Sequence, residues 1–79
     1  MNVNGIEITQ AQIDGAIAFM RKGPFKAADL VKEMERLGVP AEKDAAYRGA
    51  DRLIQQQRKR GNITVDRYTR SWTWCGAAG

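Results

Sequence analysis

From Ala46 to Trp74 the chain reads as one amphipathic helix running into a short strand, a charged turn and a second strand. At 100° per residue, Arg48, Arg52, Gln55 and Lys59 fall within about 60° of one another. Ala46, Ala50, Leu53, Ile54 and Gln57 lie broadly opposite. One face of this helix can therefore enter a core while the other offers cations and an amide, the groups that reach phosphates and base edges. Arg67 and Arg70 follow near the tip of the hairpin. These features predict a mainly α fold with a small β-hairpin (α+β).

Seventy-nine residues make a single domain, and a chain of this size buries only about 60% of its unfolded surface, so its core is small. With 43% hydrophobic and 28% charged residues, the composition is that of an ordinary globular protein. The net charge of +4 is unevenly placed: residues 1–44 hold six basic against seven acidic side chains, residues 45–79 seven against two. Six of those last seven cations are arginine, whose planar donor fork matches phosphate and guanine as a lysine point charge does not. Such asymmetry points to a polyanionic partner.

Enzymatic classes find little support. The chain has no histidine, so neither a histidine-based triad nor a histidine metal site can be assembled. The single Cys75 cannot anchor a structural zinc, and as a nucleophile it has no base to activate it. No glycine loop matches a phosphate cradle. We therefore expect a non-enzymatic protein without cofactor or metal. One cysteine fits a reducing compartment. Met1 to Gly5 shows no basic region leading into an apolar core, and the apolar run Ala16 to Met20 is far shorter than the roughly 18 residues of a membrane span. The expected location is cytoplasmic, away from membranes.

Met1 to Ile8 reads as extended, with Ile6 and Ile8 on one side and Asn4-Gly5 as a turn. Thr9 and Gln12 have capping-box spacing, and Ile8 and Ile13 that of a hydrophobic staple. Ile13, Ala16, Ile17 and Met20 form the inner stripe of the first helix, which Gly23-Pro24 ends. Gly15, unfavourable within a helix, marks a site of close helix packing. Phe25 is a core residue in the connector, and a second helix spans about Lys26 to Leu37, with Leu30, Met34 and Leu37 inside. Gly38 is a left-handed cap, Val39 packs back and Pro40 forbids continuation. The third helix is expected to start within Ala41 to Asp44, with Glu42 and Asp44 in its first turn, and to end at Gly61. Arg58-Lys59-Arg60, in its last turn, suit the helix dipole. In the hairpin, Ile63 opposite Trp72 leaves Asp66-Arg67-Tyr68-Thr69 as the loop and puts Ile63, Val65, Trp72 and Trp74 on one side. Both tryptophans are expected to cover the core, while Tyr68 at the tip is the better exposed aromatic contact. Residues 75–79 read as a frayed tail.

Helix, connector, helix, Gly-Val turn, basic amphipathic helix and hairpin resemble the element order of winged helix-turn-helix domains. The resemblance covers about Thr9 to Trp74 and rests on Phe25-Lys26-Ala27-Ala28-Asp29-Leu30, on Leu37-Gly38-Val39, and on Arg52-Leu53-Ile54 through Gly61-Asn62-Ile63. It implies a three-helix core plus wing, with the third helix in the major groove of DNA. Carried over, Arg48 and Arg52 become base-edge or phosphate contacts, Gln55 and Lys59 extend the stripe, and Arg67, Arg70 and Tyr68 become wing contacts. The implied function is that of a small transcriptional regulator binding duplex DNA, with a homodimer on a two-fold site as its natural assembly. The rival expectation is a compact protein-binding module, such as a phage or mobile-element inhibitor that docks its basic face on an acidic surface of a larger host protein. RNA binding is less favoured, since most of the six aromatic residues read as buried and leave no stacking platform.

Overall fold

Thr9 opens the first helix by the expected capping box. In the computed structural model, which describes residues 1–76, Thr9 Oγ1 accepts from the Gln12 amide at 3.2 Å and Gln12 Oε1 accepts from the Thr9 amide at 3.0 Å. Two otherwise orphaned donors are satisfied at once. Helix α1 then runs Gln10–Lys22, helix α2 Ala27–Arg36 and helix α3 Ala45–Lys59. Strands β1 (Asn2–Val3) and β2 (Ile6–Glu7) precede α1, and β3 (Ile63–Val65) and β4 (Trp72–Trp74) follow α3. The architecture is α+β: three helices and two antiparallel strand pairs.

The end of α2 shows how the connector to α3 is set locally. Gly38 lies at φ 102°, its amide donates to Glu35 O, and the Val39 amide donates to Met34 O, each at 3.0 Å. This is the Schellman pattern, with Val39 returning to the core at 2% exposure. The start of α3 departs from the expectation. Glu42–Asp44 form a separate 3₁₀ turn, and Lys43 and Asp44 are both left-handed, at φ 54° and 57°. The helix therefore begins at Ala45, and Glu42 and Asp44 do not occupy its first turn. This left-handed pair is tied to the N-terminal segment: the Asn4 side-chain amide donates to Lys43 O at 3.1 Å.

The core gathers Val3, Ile8, Met20, Phe25, Leu30, Met34, Leu53 and Ile54 with the small residues Ala16, Ala45, Ala46 and Ala50. Ile13 and Ile17, expected in the inner stripe of α1, are only half-buried, because Ala16 and Met20 take the fully covered positions. Gly15 does mark close packing: a Cβ there would lie 2.9 Å from Leu37 Cδ1. Gly49 is tighter, since its Cβ would lie 2.6 Å from Ile8 Cδ1 and 3.1 Å from Met34 Cε.

The N-terminal segment, expected as extended with a turn at Asn4-Gly5, folds back as a hairpin. Asn4 and Gly5, at φ 52° and 85°, form the turn that pairs Val3 with Ile6. Asn-Gly is the preferred pair for such a mirror-image turn, whose twist matches that of the strands.

The C-terminal hairpin corrects the expected register. Ile63 pairs with Trp74 and Val65 with Trp72, so Ile63 does not face Trp72. The loop is one residue further along, because Asp66 belongs to the closing pair: its amide donates to Ser71 O at 2.8 Å. Asp66 Oδ1 accepts from the Tyr68 and Thr69 amides, Arg70 N–H donates to Asp66 O at 2.7 Å, and Arg70 turns left-handed at φ 57°. A four-residue loop, Arg67 to Arg70, with an aspartate cap thus closes the hairpin in this register. A slip of two residues leaves every side chain on its expected face. The strand end beyond the core is less covered, and Val65 is 47% exposed. In the tail, the Cys75 and Gly76 amides both donate to Asn62 O, so these two residues are held rather than frayed; residues 77–79 of the expected tail lie outside the described residues.

Candidate nucleic-acid interface

Helix α3 divides as its periodicity predicts. Ala46, Ala50, Leu53, Ile54 and Gln57 are buried, and Arg48, Arg52, Gln55 and Lys59 are exposed. Gln57 tolerates 3% exposure because its Oε1 accepts from Asn62 Nδ2 at 2.8 Å, so a buried amide is satisfied where the helix turns into β3. The hairpin brings Arg67 and Arg70 to its loop with Tyr68 between them, fully exposed. Trp72 and Trp74 are half-buried against the core, and Arg21 Cζ sits 5.6 Å from the centroid of the Trp74 ring. Both tryptophans thus serve packing, as expected, and Tyr68 is left as the exposed aromatic of the wing.

The connector between α1 and α2 reaches this hairpin. Phe25 and Trp72 exchange backbone hydrogen bonds of 2.9 and 2.7 Å in an isolated antiparallel bridge. The bridge adds a third short segment to the β3–β4 pair and holds it against the helices.

The N-terminal hairpin forms a wall beside the exposed face of α3, a placement the sequence reading did not contain. Between them lies an open groove lined by Asn4, Asp44, Tyr47, Arg48, Asp51 and Arg52, with Gln55 at its edge. Arg52 Nη1 donates to Asn2 O at 3.0 Å, which fixes one corner of its guanidinium and leaves Nε and Nη2 for another acceptor. Asn4, Asp44 and Asp51 were not among the expected contact residues, and Tyr47, whose place nearer the apolar side of the helix left it undecided, is 64% exposed in this groove. The Asn4-Gly5 turn was the available signal, but nothing local says that this turn docks on the third helix.

Among the described residues, the ion pairs are Arg36 with Glu33 and the N-terminal ammonium with Glu7. Neither involves a cation of α3 or of the wing. Arg36 hydrogen-bonds Glu33 and holds its carboxyl below the ordinary carboxylate value, with smaller help from the charges of Arg36 and Lys22 and against a desolvation cost. That pair lies on α2, outside the groove. No helix among the described residues is long and apolar enough to cross a membrane. Compared with protein-family models, curated proteins and solved structures, the chain matches none.

Proposed function

We propose that the chain is a small non-enzymatic DNA-binding protein, a transcriptional regulator that reads duplex DNA through α3 and the β3–β4 wing in the manner of winged helix-turn-helix domains. One observation carries the reading: Arg48, Arg52, Lys59, Arg67 and Arg70 are all exposed, and none is paired with a carboxylate among the described residues. Unpaired arginines on one helix face and at a hairpin tip are the donors that phosphate and guanine accept. The bridge from Phe25 to Trp72 supports the same reading, since it ties the wing to the connector that precedes α2. The site residues proposed are Arg48, Arg52, Gln55, Lys59, Arg67, Tyr68 and Arg70.

The test is fluorescence anisotropy of a labelled random-sequence duplex titrated at several salt concentrations. Affinity is expected to fall steeply and log-linearly with salt, as counterions are released from the phosphates that the arginines neutralise. Absence of binding at low salt would overturn the DNA reading and leave the basic surface as a face for docking an acidic protein.

A further inference from the structure

The groove between the N-terminal hairpin and α3 carries more than positive charge. Arg48 and Arg52 share it with Asp44 and Asp51, and Asp51 lies three residues after Arg48 and one before Arg52. Asp51 is exposed, and among the described residues it has neither an ion-pair nor a hydrogen-bond partner. Neither arginine beside it is within ion-pair distance: Arg52 is turned to Asn2 O, and Arg48 makes no hydrogen bond among the described residues. On a surface that only gripped phosphates, an unpaired carboxylate would repel its ligand. Its presence fits a ligand edge offering a donor beside acceptors. In the major groove, guanine presents O6 and N7 as acceptors and cytosine the N4 amino group as donor, to which arginine and aspartate respectively correspond. Arg48 and Asp51 are offset by about 4.5 Å along the helix, enough to span neighbouring base pairs stacked roughly 3.4 Å apart.

Resting on the DNA reading above, we infer that this groove selects a step of two successive G·C pairs: Arg48 donates to guanine O6 and N7 of one pair, and Asp51 accepts from cytosine N4 of the next. Arg52, anchored on Asn2 O, is the positioning partner that keeps the second guanidinium beside Asp51 without pairing with it. The N-terminal hairpin thereby acts as a specificity element.

The experiment is selection from a randomised duplex library by the wild-type protein and by Asp51→Ala, followed by titration of the enriched duplex with N4-methylcytosine at the selected position. The methyl group replaces the groove-facing N4 hydrogen and leaves Watson–Crick pairing intact. The wild type is expected to enrich a G·C step and to bind the methylated duplex about tenfold more weakly. Asp51→Ala is expected to lose both the cytosine preference and the methyl penalty, while keeping the thermal melting midpoint of the wild type. Random-duplex binding without G·C enrichment, or the same enriched step from both proteins, would overturn this inference alone. No duplex binding at low salt would overturn it together with the reading on which it rests.

Discussion

Phe25 and Trp72, 47 positions apart in sequence, exchange a pair of backbone hydrogen bonds of 2.9 and 2.7 Å. A connector residue and a strand residue thereby close the chain on itself: the wing is bound to the segment that starts α2. Phe25 is 2% exposed, and its ring lies 6.2 Å from that of Phe19 in a tilted arrangement. Phe25→Ala keeps the backbone bonds possible but removes the largest fully buried side chain among the described residues. We expect a loss of about 3–5 kcal/mol, comparable to the whole stability of a small domain. Thermal melts followed by circular dichroism should show a collapsed or absent transition; a midpoint within a few degrees of wild type would refute the account.

Two glycines are predicted to behave oppositely. A methyl at Gly15 meets Leu37, which is half-buried and can rotate, whereas a methyl at Gly49 meets Ile8 and Met34, both fully buried. Gly15→Ala should therefore be neutral or stabilising by up to about 1 kcal/mol, the helix propensity gain. Gly49→Ala should destabilise by roughly 1–3 kcal/mol from overpacking, less that same gain. Urea unfolding of the two variants should place them on opposite sides of wild type or, at the least, in this order.

Gln57 and Asn62 form a buried amide pair at 2.8 Å. Gln57→Leu should cost about 1–3 kcal/mol by leaving the Asn62 side-chain amide unsatisfied. Adding Asn62→Leu should not cost the full second penalty, so a double-mutant cycle should report a coupling above about 0.5 kcal/mol. Strict additivity would mean the pair is not a unit.

On DNA, Arg67 and Arg48 should separate by readout. Arg67→Ala, at the wing, should lower the salt slope by about one and weaken all duplexes alike. Arg48→Ala should weaken the preferred duplex more than a random one, by about tenfold in the ratio. Equal effects of both variants on every duplex would make Arg48 a phosphate contact.

Glu33 supplies the pH dependence. Its carboxyl is held below its ordinary value by the hydrogen bonds from Arg36, so the folded state binds that proton more weakly than the unfolded chain. The contribution is present above about pH 4.3, the unperturbed glutamate value. It is lost as pH falls through the lowered folded value. Glu33→Gln should flatten this part of the acid limb of a stability-versus-pH curve, with little change at neutral pH because the pair is on the surface. An unchanged acid limb would mean that other carboxylates govern it.

Which parts were legible in the linear chain follows from how far each decision reaches. The Thr9–Gln12 box, the Gly38 cap with Val39 returning, and the division of α3 into a basic stripe and an Ala/Leu/Ile stripe were all readable, because each depends on residues within about three turns of one another. The arginines of the proposed interface were readable for the same reason. The faces of the β3–β4 hairpin were also correct, since alternation has period two and survives a slip of two residues.

The sequence by itself thus determined the three helices, the caps at Thr9 and Gly38, the two faces of α3 and the basic character of α3 and the wing. Tertiary structure alone decided the start of α3, the hairpin register, the Phe25–Trp72 bridge and the groove. Asn4 reaches Lys43 O from 39 positions away, at the left-handed pair that precedes α3, and Asp66 closes the wing loop through its own hydrogen bonds. Asn2 aims Arg52 from 50 positions away. Local propensity differences between such alternatives are of order 1 kcal/mol or less, so a few hydrogen bonds made only after the chain has folded are enough to choose among them.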